Sequence, residues 1–187
     1  MQSSHSRVLR TAYDRYGPGT NRRDVGAGYA AVLAAVVATA LYVASVAAIR
    51  SDAIGLDRTV YFAELEFHWV VHSVAVGLVF VVPAAFLVGF AGWNVLPSRT
   101  TLTGAALGAF GTIATYVVVF VLLALAVAFY APFAASAEGA STGIVLWDAL
   151  EVAFLSVVVG FVLTWWATVP IGCLTGLVYA NRTGAAD

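Results

Sequence analysis

Four long stretches of apolar residues decide what this chain can fold into. A helix needs ~20 mostly apolar residues to cross the hydrocarbon core of a bilayer, and four stretches meet that requirement: 26–49, 67–92, 102–131 and 148–180. They do not alternate between apolar and polar residues, as the strands of a membrane β-barrel would. The sequence therefore predicts an all-α fold, a polytopic membrane protein whose four transmembrane helices form a bundle.

The composition excludes an ordinary water-soluble domain. Hydrophobic residues make up 61% of the 187 residues and charged residues only 10%, against about 25% charged in an average soluble domain. The formal net charge of −1 offers no basic surface to a nucleic acid. A single cysteine, Cys173, excludes a disulfide within the chain. The predicted environment is the lipid bilayer, and no nucleic-acid partner is expected.

The distribution of arginine predicts the orientation. Positive residues of short loops are retained on the cytoplasmic side of a membrane. Seven of the nine cationic residues flank the same ends of the spans: Arg7, Arg10, Arg15, Arg22, Arg23, Arg99 and Arg182. We therefore expect a cell-membrane protein with both termini cytoplasmic. Its predicted parts are a cytoplasmic N-terminal segment, 1–25, a four-helix transmembrane domain, 26–180, and a cytoplasmic tail, 181–187.

The second and fourth spans share a pattern of residues that indicates an internal repeat. Four residues of the second span recur in the fourth at one constant separation: Pro83, Leu87, Gly89 and Asn94 match Pro170, Leu174, Gly176 and Asn181. Upstream, 73–77 resembles 156–160 at a separation about one helical turn shorter. The pattern favours two tandem helical hairpins, 1–94 and 95–187, related by a pseudo-twofold axis along the membrane normal. Some transporters are built from duplicated halves in this way.

Ionisable residues at membrane depth are costly and mark candidate functional sites. Glu64, His68 and His72 are spaced so that they share one face of the second helix, and Asp148 and Glu151 share a face at the start of the fourth. Imidazole nitrogens and carboxylate oxygens suit zinc or another divalent transition metal. These five residues are therefore a predicted metal site on the outer side of the membrane.

Two alternatives to a metal site remain open for these residues. The first is that they lie solvated among lipid headgroups and form weak ion pairs with Arg50 or Arg58. The second is a proton-coupled switch. The sequence also carries Trp69 where a zinc protease with this histidine spacing has its catalytic glutamate. With no other nucleophile and base pair in view, an enzymatic function is not expected.

Two classes of function follow from these patterns. Pairs of glycines four residues apart let helices approach closely, in this sequence Gly104 with Gly108 and Gly172 with Gly176. They favour a non-catalytic bundle that self-associates or binds a membrane partner. The alternative is a transporter-like or metal-handling protein that uses its duplicated halves and the outer histidine and carboxylate residues.

Overall fold

The computed structural model describes residues 23–53, 67–95, 101–139 and 141–184, and these ranges form four helices. In chain order they are α1, Arg23–Arg50; α2, Phe67–Val95; α3, Thr101–Glu138; and α4, Thr142–Gly184. Each helix is long and apolar enough to cross a membrane. The expected all-α fold of a four-helix, multi-pass membrane protein is thereby confirmed. The N-terminal segment before Arg23 and the residues after Gly184 lie outside the described part of the chain.

Each helix packs mainly against two neighbours, so the helices follow one another around the bundle in chain order. Contacts are most extensive between α3 and α4, then between α1 and α2, and are fewer between the two hairpins. The start of α1 and the end of α4 lie at the same end of the bundle, where the Tyr179 hydroxyl donates a hydrogen bond to the Arg23 carbonyl oxygen. We call this end the Tyr179 end and the opposite end, where α3 turns into α4, the His72 end.

At the His72 end, Gly139 and Ser141 define where α3 ends and where α4 begins. After α3, Gly139 adopts a positive φ of 68°, the left-handed conformation that often ends a helix. The Ser141 hydroxyl then accepts a hydrogen bond from the Ile144 N–H at 3.4 Å and caps the start of α4. α3 thus continues past Pro132 as far as this turn, and both helices extend beyond the spans expected from hydropathy.

Small residues bring α3 and α4 into backbone contact. A Cβ atom added to Gly108 would overlap the carbonyl oxygen of Gly172, and one added to Gly176 would overlap that of Gly104. In lipid, where apolar burial gives little drive for helices to associate, such close approach is a main source of packing energy. We call these four residues the glycine seam. The glycine pairs noted in the sequence therefore contact each other within one chain.

The contact between α1 and α2 is also close but includes side chains. A Cβ atom on Gly89 would lie 2.7 Å from the Ala27 carbonyl oxygen and 2.8 Å from the Ala31 Cβ. Beside it, the rings of Tyr29 and Phe86 meet edge to face with centroids 5.3 Å apart. Each hairpin is thus tightest towards the Tyr179 end, and the two hairpins share fewer contacts with each other.

Candidate functional site

A cavity of about 1420 Å³ lies between the helices and is lined by all four of them. It is larger than the roughly 300–1,000 Å³ of a typical small-molecule site. Along α2 its lining runs from Trp69 to Trp93, about 36 Å of helix at 1.5 Å per residue. That length is similar to the ~30 Å hydrocarbon core of a bilayer. The space is elongated along the helices, and because its lining includes exposed side chains such as Phe110 and Val152, it is partly open to the outside of the bundle.

The face of α1 that lines the cavity carries mainly short side chains, with Tyr42 as the large one nearer the His72 end. Six alanines of this helix line the space: Ala27, Ala30, Ala31, Ala34, Ala35 and Ala38. A methyl group cannot reach across to the opposite helices, so the volume between the hairpins stays open. A row of leucines at these positions would have filled it.

Aromatic residues bridge three helices at the Tyr179 end of the cavity. The Tyr179 hydroxyl of α4 lies 2.5 Å from the Arg23 carbonyl oxygen of α1. The Trp93 ring of α2 packs edge-on against the Tyr179 ring, with centroids 4.8 Å apart. Both aromatic side chains line the cavity. They form its floor at this end and tie the first hairpin to the second.

The His72 end of the cavity is the polar end. His72 and Ser73 of α2 line it from one side, and Asp148 of α4 lines it from the other. No arginine of the described ranges lines the cavity, and Asp148 is the only acidic residue of those ranges that does. The charge available to a bound molecule is therefore negative and is located at this end.

Hydroxyl groups line the middle of the cavity and share one hydrogen-bond pattern. Six of them donate to the carbonyl oxygen four residues earlier in the same helix, at 2.7 to 3.0 Å. They are Thr39, Thr112, Thr115, Ser156, Thr164 and Thr168. This pattern is common for Ser and Thr in helices. Each hydroxyl has one hydrogen, and since that hydrogen is used, the oxygen lone pairs are what these groups offer the cavity.

Tyr116 extends this polar wall across the second hairpin. Its hydroxyl lies 2.5 Å from the Thr164 hydroxyl, and Thr164 already donates its hydrogen to the Gly160 carbonyl oxygen. Tyr116 must therefore be the donor in this pair. Most hydroxyls in the middle of the cavity come from α3 and α4, whereas α1 contributes mainly alanine, so the two hairpins form a polar wall and an apolar wall.

The structure brings together some, but not all, of the residues predicted to bind metal. His72, Asp148 and Glu151 are all exposed, but only His72 and Asp148 line the cavity, from α2 and α4. His68 is exposed, and its ring contacts that of Trp69 with centroids 5.0 Å apart.

The metal site itself stays a prediction. No three His, Cys, Asp or Glu side chains of the described ranges lie close enough together to hold a metal ion. Glu64, one of the five proposed ligands, lies outside those ranges.

Sequence reasoning missed the hydroxyl groups of the cavity. Thr112 and Thr115 are three residues apart and Thr164 and Thr168 are four apart, spacings that place each pair on one helix face. This signal was present, but Thr is common in membrane helices, and spacing within one helix does not tell whether that face meets another helix, a cavity or lipid.

Neither the family models, the curated proteins nor the solved structures compared with this chain contain a match. The geometry of the cavity is therefore the basis for a functional proposal.

Proposed function

We propose that this protein is a non-catalytic, transporter-like membrane protein that binds an elongated, largely apolar molecule between its two hairpins. The observation that carries the proposal is the cavity of about 1420 Å³ that all four helices line. Ligand sites are typically concave and mostly apolar, with a few placed polar groups. A cavity as long as the bilayer core suits a molecule with a long hydrocarbon chain, which the surrounding lipid also dissolves.

The first part of the repeat supports a site between duplicated halves. Residues 73–77 of α2 and 156–160 of α4 match at all five positions in their degree of exposure. They also match in their relation to the cavity, because four of the pairs line it and the pair Ala75 and Val158 does not. Similar sequences on the two helices thus have similar surroundings.

The second part of the repeat supports the same interpretation. Pro83 and Pro170 are both exposed within their helices. Gly89 and Gly176 both meet the backbone of the preceding helix in their own hairpin. Between the two parts α4 has about one additional helical turn, which returns the chain to nearly the same face. These equivalences favour two hairpins related by a pseudo-twofold axis, an arrangement that permits alternating access to a site between the halves.

For the orientation we propose that both termini are cytoplasmic and that the protein resides in the cell membrane. The arginine distribution supports this, since most arginines flank the Tyr179 end. The polar His72 end would then face the outside. A cysteine placed at Ser136, an exposed residue at that end, should react with a membrane-impermeant thiol reagent added to intact cells. Labelling that requires permeabilised cells would reverse the proposed orientation.

Self-association receives less support from the geometry. The glycine seam that favoured it in the sequence is used between α3 and α4 of one chain. Those glycines are therefore not available to a second copy or a membrane partner, and we do not base an oligomer on them.

The proposal is tested by photo-crosslinking with a diazirine-bearing long-chain alcohol in lipid vesicles. We expect saturable labelling of cavity-lining segments of α3 and α4, which an excess of unlabelled alcohol suppresses. Ala35→Phe should reduce it, because Ala35 lines the cavity and a phenyl ring would project into the path of the alkyl chain. Ala40→Phe is the matched control, since Ala40 is exposed on the same helix and does not line the cavity.

Either of two outcomes would contradict the proposal. Labelling that cannot be saturated, or that Ala35→Phe and Ala40→Phe affect equally, would mean that the probe reports only on the lipid-facing surface. The thermal unfolding midpoint of both variants, followed by tryptophan fluorescence, shows whether each one is folded.

A further inference from the structure

We infer that the cavity selects amphiphiles that carry a cationic, hydrogen-bond-donating group, such as a protonated primary amine on a long alkyl chain. This inference rests on the proposed function and names the class of molecule that the cavity takes. It comes from three features of the lining: the hydrogen-bond roles of its hydroxyls, the sign of its charge and the location of its tryptophans.

The hydroxyl groups make the middle of the cavity a surface of hydrogen-bond acceptors. Thr115 and Thr168 each donate their only hydrogen to a carbonyl oxygen of their own helix, as does Thr39 on the opposite wall. Their oxygen atoms can then only accept. Along the alkyl chain these oxygens disfavour a group that only accepts, such as a carboxylate or an ether, because lone pairs would then meet lone pairs.

The charge of the lining favours a cationic headgroup. Asp148 lines the cavity at the His72 end, and no arginine from the described part of the chain lies along the wall to oppose it. Asp148 is exposed, and at an exposed site an opposite charge is favoured over a like charge by up to about 1 kcal/mol. An ammonium group is therefore expected to lie beside Asp148, with its alkyl chain running along the alanine face of α1.

An aromatic face at the same end completes the site. The Trp69 indole lines the cavity there and lies beside His72, with ring centroids 6.3 Å apart and the planes nearly perpendicular. Tryptophan provides the most favourable aromatic face for a cation.

The experiment compares three probes that share one hydrocarbon chain and differ in headgroup: hexadecylamine, hexadecanol and palmitate. Each competes with the diazirine-bearing alcohol for protein reconstituted in nanodiscs of phosphatidylcholine, and empty nanodiscs correct for partition into lipid. We expect the amine to compete about tenfold or more better than the alcohol, a ratio equivalent to ~1.4 kcal/mol, and palmitate to compete least.

Three variants test which side chain gives the amine its advantage over the alcohol. Asp148→Asn should reduce the advantage of the amine over the alcohol to less than about threefold while leaving the alcohol unchanged, because only the ionic contact is lost. Glu151→Gln is the matched control, since Glu151 is exposed one turn along the same helix and does not line the cavity. Thr115→Val, which removes an acceptor far from Asp148 at nearly constant volume, should change amine and alcohol affinity equally.

The outcomes separate this inference from the proposal beneath it. If none of the probes competes, the proposed function itself fails. If all three compete equally, if palmitate competes best, or if Glu151→Gln rather than Asp148→Asn removes the preference, the cavity binds long-chain molecules but the cationic selectivity is wrong.

Discussion

The two hairpins use glycine in the same part of the fold but against different neighbours. Between α3 and α4, glycine faces glycine, and the two backbones are in direct contact. Between α1 and α2, Gly89 faces the backbone of Ala27 but also the methyl group of Ala31, and Phe86 lies over Gly28. Backbone and the Ala31 methyl group cannot move aside without disturbing helical hydrogen bonds, whereas the Phe86 ring can change its rotamer. The second hairpin is therefore the more rigid half, and it carries most of the hydroxyls of the cavity.

The largest effect is expected in the glycine seam. Gly108→Ala would place a methyl group against the Gly172 carbonyl oxygen, and the three atoms nearest to that methyl group all belong to the α4 backbone. We expect a loss of about 3 kcal/mol or more in the free energy of unfolding, the upper range for overpacking. Gly111→Ala is the control on the same helix, because its nearest neighbour would be a Val88 methyl at 3.7 Å. An SDS titration in mixed micelles measures both, and equal losses would show that backbone contact is not what holds this hairpin.

A comparison of repeat-related glycines sharpens the difference between the hairpins. Gly176→Ala should cost about 2–3 kcal/mol and Gly89→Ala about 1–2 kcal/mol, because the added methyl group overlaps the Gly104 carbonyl oxygen more deeply than it overlaps the Ala27 carbonyl oxygen, which would lie 2.7 Å away. Gly92→Ala is the control, since nothing lies within 4 Å of the added methyl group. The same titration applies. A larger cost at Gly89 would reverse the assignment of the more rigid half.

The contact between the hairpins is expected to be weaker than either contact within them. Tyr179→Phe removes the hydrogen bond to the Arg23 carbonyl oxygen and keeps the ring that packs on Trp93. We expect a loss of about 1 kcal/mol in the free energy of unfolding. Tyr130→Phe, at a side chain that is 66% exposed, should leave stability unchanged, and a similar loss in both variants would argue against a bridge at the cavity floor.

The smallest effect is expected inside the second hairpin at its polar wall. Tyr116→Phe removes the hydrogen bond to Thr164, but Thr164 still donates to the Gly160 carbonyl oxygen. Side-chain hydrogen bonds between membrane helices contribute about 0.6 kcal/mol on average, and we expect a loss of that size. A loss larger than that of Tyr179→Phe would mean that this hydrogen bond, rather than the glycine seam, holds α3 on α4.

The extent of the helices was only partly predictable from the sequence. Hydropathy placed the third span at 102–131 and the fourth from 148, whereas α3 runs to Glu138 and α4 begins at Thr142. Hydropathy reports which residues prefer lipid, but a helix continues beyond the lipid until a residue ends it. In this turn that residue is Gly139, with its positive φ, and Ser141 starts the next helix.

Of the candidate site, the sequence identified the polar residues but not their arrangement. His72 and Asp148 were both predicted, and the structure places both on the cavity wall, while Glu151 is turned away from the cavity. The rotation of a helix about its axis decides this. In a soluble bundle the apolar stripe reveals that rotation. Here the outer surface faces lipid and is as apolar as the interior, so the pattern along each helix is nearly uniform.

The sequence by itself determined the all-α fold and the four apolar helices, because apolar length is a local property matched to the bilayer. It also contained the matched residues of α2 and α4. Only the tertiary structure decided that the glycine pairs meet within one chain, that the alanine face of α1 leaves a cavity, and which hydroxyls line it. The physical reason is that close packing between membrane helices depends on shape and distance between segments far apart in the chain, and hydropathy carries no information about either.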